Sequence, residues 1–374
     1  MSTLANSSSP VGRDWAINLE HVAKVYQGRF GRKKVHALRG ITMRVHQGEI
    51  FGLLGPNGAG KSTLVKILMT IIRASECRGV MLGRPVGDKP MLARVGYLPE
   101  HHKFPDYLTG EQVLDFYGAL SLVPRNVRKP RAAELLDLVG ISKWATSRVK
   151  GYSKGMRQRL GIANALMSDP DLVLLDEPTD GVDPVGRRDI REVLLRLRQQ
   201  GKTVFLNSHL LSELEMVCDR VAILVQGVVS AQGTMDELTR ESQRYEIEVG
   251  PLARGQSMGS DPADGESIMR AVSAIVTRAD AAVQTGQPAA RISGKLAHTD
   301  VAVTIDRGLI KVASDDALAI QPLIDALRSH GQTVRSVRPI RNSLEDLFMM
   351  AVTDPTTGKM LKPGAADAPL TSPS

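Results

Sequence analysis

Cysteine is almost missing from this 374-residue chain: Cys77 and Cys218 stand far apart, and neither belongs to a paired-cysteine motif. That scarcity excludes a disulfide scaffold and a thiolate zinc site, and it fits a reducing compartment. Aromatic residues make up only 4%, so the core is expected to be mainly aliphatic. Long apolar runs are missing too. None approaches the roughly 18 residues that a spanning helix needs. The start, MSTLANSSSPVGRDW, has no apolar stretch of the signal-peptide kind. The chain is therefore expected to be soluble and not exported, with any membrane attachment made through a partner.

What is present is ordinary in bulk: 42% apolar and 24% charged residues, as in globular proteins. The net charge of +8 fits a nucleic acid, an anionic membrane surface or a polyphosphate ligand. The densest basic run, RFGRKK (29–34), reads as a solvated loop. The length predicts two domains.

Hydrophobic period divides the chain further. INLEHVAKVY (17–26) alternates like a strand, and so does ITMRVHQGEIFGLLG (41–55), which runs into a glycine-rich turn. KSTLVKILMTII (61–72) reads as a helix and VGYLPE (95–100) as a short strand. From Thr109 to Asp169 the pattern is helical, opened by a Thr109–Gln112 capping box. RAAELLDLVG ends on a glycine stop, and GMRQRLGIANALM stops at Asp169-Pro170. DLVLLD and TVFLNS, with the helix REVLLRLRQQG between them, form a strand–helix–strand unit and predict a parallel sheet. VAILVQGVV supplies further strands. Beyond Thr239 the composition shifts: 251–265 and 284–294 read as linker, and ESIMRAVSAIVTRADAAV between them as one helix. VAVTIDRGLIKVAS, the helix ALAIQPLIDALRSHG, the strand TVRSVRPI and the helix SLEDLFMMAV then make a small α+β module.

LVLLDEPTD (172–180) is apolar enough to lie buried on both faces, yet it ends in two adjacent carboxylates and a proline. Charged groups are seldom buried unless paired or metal-bound, so something elsewhere must compensate them. Gly55, Pro56, Asn57, Gly58, Ala59, Gly60, Lys61 and Ser62 match G-x-x-x-x-G-K-[ST] in full, after a strand and before a helix. The N–H groups of such a turn and of the helix start, with Thr63 next in line, point at an anion. Lys61 would reach the β- and γ-phosphates of a bound nucleotide, and Ser62 would ligate Mg²⁺. Asp176 would hold the same metal directly or through water, and Glu177 would polarise a water aimed at the γ-phosphate. The cation and phosphates then reverse the repulsion of the acid pair.

At this point residues 15–240 resemble the ATP-binding subunit of an ABC transporter. Tyr152-Ser-Lys-Gly-Met156, followed by RQRL, stands where that family carries its L-S-G-G-Q signature; Ser153 and Gly155 match, and Tyr152, Lys154 and Met156 depart. Asp180-Gly-Val-Asp183 resembles the D-loop, and Ser208-His209 the switch histidine. Glu100 ends VGYLPE where the family has glutamine, which places a carboxylate near the metal as a further candidate ligand. The resemblance implies an α/β fold: a P-loop core with a mixed, mainly parallel sheet, an N-terminal antiparallel β part and a helical subdomain over about 101–169. It implies that Ser153, Lys154, Gly155 and Met156 serve ATP held by a partner subunit, that Asp183 bridges to the partner's phosphate loop, and that His209 contacts the γ-phosphate. Tyr26 is the candidate to stack on adenine; otherwise it is a half-buried strand aromatic. Ser153 otherwise reads as an ordinary helix cap.

The expected organisation is a disordered 1–14, the ATPase domain at 15–240, a C-terminal α+β extension at 241–352 with a flexible insertion at about 251–300, and a disordered tail at 353–374. The extension, and SKGM in place of SGGQ, resemble ATPases of the ABC type-2 exporter group. The leading expectation is an Mg²⁺-dependent ATPase that powers export through a separate integral membrane permease. It would act as a homodimer, or a heterodimer with another ATPase subunit, on the cytoplasmic face of the membrane. The alternatives are a soluble ABC ATPase acting on ribosomes or nucleic acid, which the single phosphate loop disfavours, and a non-hydrolysing regulator.

Overall fold

The computed structural model describes residues 15–27, 34–240, 244–250, 265–273, 276–278, 291–296, 301–306, 308–314, 316–340, 343–354 and 360–361. The segment 1–14, nearly all of the 29–34 basic run and most of 353–374 lie outside the described residues. The chain divides into two compact units, one reaching to Met235 and taking in the residues from Phe348 onward, the other Asp236–Leu347.

In the first unit β1 (Trp15–Gln27) and β2 (Lys34–His46) pair antiparallel. The stretch 41–55, expected as one strand, is two, because β3 (Ile50–Leu54) belongs to a different sheet. The break falls at Gln47-Gly48: Gly48 has φ +75°, and Glu49 accepts the His46 N–H at 2.8 Å. α1 (Lys61–Leu68) stops before the expected Ile72, since Thr70 turns to φ 56°. β4 (Glu76–Met81) and β5 (Arg84–Pro85) complete an antiparallel sheet of order β2-β1-β4-β5. Sequence periodicity did not expose these two, because most β4 side chains face solvent.

After β6 (Val95–Leu98) come the helices α2 (Gly110–Leu120), α3 (Arg125–Leu138) and α4 (Lys154–Ala165). The Thr109–Gln112 capping box forms in both directions. Gly140, at φ +68°, follows the end of α3. β7 (Leu172–Asp176), α5 (Pro184–Gln199), β8 (Thr203–Asn207), α6 (Leu211–Val217), β9 (Arg220–Val225) and β10 (Val228–Thr234) build the second sheet, of order β10-β9-β3-β8-β7-β6. Its pairings are parallel except the β9–β10 hairpin. That hairpin turns at Gln226-Gly227, both at positive φ, as a two-residue turn between twisted strands requires. β3, β7 and β8 are buried along their whole length, which explains their unbroken apolar runs. α1 and both sheets share one aliphatic core, with Phe51 and Phe205 stacked at 5.7 Å. β3, β7 and β8 end together, so the segments 55–60, 177–183 and 208–210 converge at the carboxyl edge of the sheet, where open α/β sheets bind ligands.

The second unit takes in α7 (Met235–Arg240) from Asp236 onward, then β11 (Arg244–Gly250), α8 (Gly265–Val272), β12 (Val276–Arg278), β13 (Arg291–Leu296), β14 (Ala302–Asp306), β15 (Leu309–Val312), α9 (Ala317–Ser329) and β16 (Thr333–Ile340). α10 (Leu344–Val352) crosses the second boundary between the units. One antiparallel sheet, of order β12-β13-β14-β15-β11-β16, packs its inner residues, such as Ile247, Val303 and Ile310, with Ile268 and Val272 of α8 and Leu323 and Leu327 of α9. The stretch 266–283 is not one helix: α8 ends at Val272, and the β-branched Val276 and Thr277 pair with β13. Within 251–300, read as a flexible insertion, the described residues form α8, β12 and β13.

Candidate functional site

The loop after β3 excludes side chains by contact. A Cβ on Gly55 would meet Leu224 O at 2.3 Å, and one on Gly60 would meet Ala37 O at 2.6 Å. Gly58 and Gly60 also stand at φ +80° and +111°, which other residues rarely adopt. α1 starts at this loop with no capping side chain and no acid in its first turn, so its first N–H groups keep their affinity for an anion. Lys61 is 7% exposed; its Nζ donates to Gly55 O at 2.6 Å and Pro56 O at 3.4 Å. Burial lowers its pKa, and the charges of Glu177, Asp176 and Glu100 act in the opposite direction.

Asp176 ends β7 at 3% exposure and takes a hydrogen bond from Asn207 Nδ2. Glu177 follows at φ +51°. Its N–H donates to Asn207 O at 2.9 Å, and its carbonyl accepts from Gln158 Nε2 at 3.4 Å. Its carboxylate meets His209 Nδ1 at 2.8 Å and the His209 N–H at 3.4 Å. Burial pushes both carboxyls above their ordinary pKa; the hydrogen bonds from Asn207 and His209 respectively pull them back.

A cavity of about 530 Å³ opens over these groups. Pro56, Asn57, Gly58, Gly60, Lys61, Ser62 and Thr63 line it on one side, and Glu100, Glu177, Asp180, Asn207 and His209 also face it. Tyr26, Val35 and Ala37 add an apolar wall, with Tyr26 40% exposed and Lys24 Nζ 4.9 Å from its ring centre. Gly55, Ala59 and Asp176 are buried and do not line the cavity.

Ser153, Gly155, Met156 and Asp183 are not brought to this cavity. Ser153 caps α4, accepting the Met156 N–H at 3.2 Å, and Asp183 caps α5, accepting the Gly186 N–H at 2.7 Å. Lys154 Nζ pairs with Asp180 at 2.9 Å and holds that carboxyl below its usual range. Its side chain lies over Gly181, where a Cβ would meet Nζ at 2.1 Å. Lys154, Glu100 and Asp180 line a neighbouring cavity of about 560 Å³ with His101, His102 and Arg157. Sequence reasoning missed Asn207 and Gln158. The signal for Asn207 was a polar residue closing the apolar strand TVFLN, in register with the acid that closes LVLLD.

A backbone cradle that a Cβ would fill, an uncapped helix start, a buried lysine and two buried acids fit a polyphosphate with a divalent cation. On the carboxyl edge of a mainly parallel sheet, that combination defines a P-loop nucleotide-binding cassette. A family model described as "ABC transporter" matches residues 38–180. The chain is 32% identical over 344 residues, 91% of this chain and 97% of the relative, to the daunorubicin resistance ATP-binding protein DrrA3 of Streptomyces coeruleorubidus. It is 46% identical over 229 residues to an uncharacterised ABC transporter ATP-binding protein of Synechocystis sp., covering 60% of this chain and 65% of that one. Among solved structures it is similar to cbiO1 from Clostridium perfringens, part of the ABC transporter complex cbiONQ. That match has 28% identity and a TM-score of 0.54, over 61% of this chain and 92% of that one. The chain belongs to the family of ABC transporter ATP-binding proteins.

Proposed function

We propose that this chain is the Mg²⁺-dependent ATP-hydrolysing subunit of an exporter, driving a separate membrane-spanning permease from its cytoplasmic face. The observation that supports it most is the single cavity onto which the phosphate loop, Glu177 and His209 all open. In this reading the loop N–H groups and Lys61 bind the phosphates, and Tyr26 stacks on the base. Ser62 and Asp176 hold Mg²⁺, with Glu100 as a further oxygen donor nearby. The cation supplies charge neutralisation of the phosphates. Glu177 accepts a proton from the attacking water, and His209, hydrogen-bonded to that carboxylate, keeps it oriented. Burial raises the Glu177 pKa, which favours this role, since a stronger base takes the proton more readily.

Ser153, Lys154, Gly155, Met156 and Asp183 lie off the chain's own cavity, which agrees with their serving a second subunit's nucleotide in a head-to-tail pair. The relative named for daunorubicin resistance favours export over action on ribosomes or nucleic acid. The test is the Glu177→Gln protein on a sizing column with and without Mg²⁺-ATP, beside wild-type turnover. Dimerisation of E177Q only with ATP, wild-type hydrolysis, and a kcat for E177Q about 10²–10⁴-fold lower are expected. A monomeric E177Q together with an inert wild type would overturn the reading.

A further inference from the structure

We infer that Asn207 is a positioning residue for the divalent cation, fixing the Asp176 carboxylate in one orientation while its carbonyl sets the backbone of Glu177. The inference rests on the Mg²⁺–ATP reading above. Asn207 is the last residue of β8 and stands in parallel register with Asp176, the last residue of β7. It is 1% exposed. Its Nδ2 donates to Asp176 Oδ1, and its backbone oxygen accepts the Glu177 N–H at 2.9 Å. One side chain and its own carbonyl thus hold both acids through different atoms.

The chemistry of each group limits what it can do. An ionised carboxylate only accepts, so a donor fixed on Oδ1 leaves the remaining lone pairs of Asp176 for a cation and its waters. Glu177 sits at a positive φ that a non-glycine residue does not hold without help. The Asn207 carbonyl supplies part of that help. The amide has a second end: Asn207 Oδ1 is buried and has no hydrogen-bond partner among the described residues, and Asn207 lines the cavity. A buried orphan acceptor is costly, and native chains keep one where water or a ligand satisfies it. A cation's hydration shell offers only donors to such an oxygen, which makes it the matching partner. Partners of this kind around metal ligands change metal affinity by about 10–100-fold when removed.

The experiment titrates Mn²⁺, as the metal probe, against the full chain with ADP, reading free Mn²⁺ by electron paramagnetic resonance. ADP affinity is measured separately in EDTA. Asn207→Leu keeps the shape and removes the donor, and Asn207→Ser is a smaller second variant should the leucine protein fail to fold. The expected result is Mn²⁺ affinity at least about tenfold weaker, with ADP affinity in EDTA within twofold of wild type, because the phosphate loop is untouched. Unchanged Mn²⁺ affinity in a folded variant overturns the inference. So does an equal loss with and without metal, which marks a merely structural residue. If wild type itself shows no metal-dependent nucleotide binding, the Mg²⁺–ATP reading falls and takes the inference with it.

Discussion

At the scale of single residues, the site buries charged groups that burial by itself would neutralise. Lys61, Asp176 and Glu177 are all buried, and burial moves each away from its charged form. For Glu177 the consequence has a sign. Its folded pKa lies above its unfolded value, so between the two the native state binds the extra proton. Its contribution to stability is therefore fully present below the unfolded pKa and lost as pH rises through the folded one. Glu177→Gln is expected to stabilise the nucleotide-free protein at pH 8 relative to wild type and to lose that advantage near pH 4; urea unfolding at both pH values checks it. Gly60→Ala meets both a φ of +111° and the Ala37 carbonyl at 2.6 Å. It is expected to cost about 1–3 kcal/mol of stability and to abolish ATP binding, read by calorimetry. The Gly-Lys-Ser motif, the acid pair and His209 were legible in the sequence because their types and order carry the chemistry. Asn207 was not, because its role depends on the register that sets it against Asp176 across β7 and β8, which residue order does not print.

Among the elements, the helix signals that survived folding are those with a local cause. The Thr109–Gln112 capping box needs only four consecutive residues, and it forms as read. Thr109→Ala is expected to cost about 1 kcal/mol, measured by urea unfolding, with nucleotide affinity unchanged, since α2 does not line the cavity. Elements whose ends are decided by neighbours depart from the sequence expectation. The strand-like stretch 41–55 is interrupted by the polar HQGE at 46–49, and there Gly48 and the Glu49 carboxylate turn the chain so that β2 and β3 enter different sheets. The stretch 266–283 is rich in helix formers at both ends, but its β-branched Val276 and Thr277 pair with β13, and Val276–Arg278 enters a sheet. β4 escaped notice because a strand with most side chains in solvent has no apolar period to find.

Among the described residues of the whole molecule, one hydrophobic core joins both sheets of the first unit around α1, and another lies within Asp236–Leu347. The nucleotide cavity is lined by residues of the first unit alone. Leu323, fully buried in the second core, offers a test of that separation. Leu323→Ala is expected to destabilise the second unit by about 2–5 kcal/mol while ATP affinity stays within twofold of wild type. Hydrogen exchange resolved along the chain would show the loss confined to elements between β11 and β16. Exchange spreading into β3 and β7 would refute it.

The sequence alone determined the phosphate loop, the acid pair, the order of strand and helix around them and the absence of a membrane-length apolar run, because each is written in consecutive residues with a local physical cause. Tertiary structure decided which strands are neighbours, and therefore which groups complete the site. Parallel register sets Asn207 against Asp176, a turn beyond β8 brings His209 onto Glu177, and the Lys154–Asp180 pair joins two segments 26 residues apart in sequence. These contacts arise where chain segments meet at the end of a shared sheet, and residue order does not encode that meeting locally.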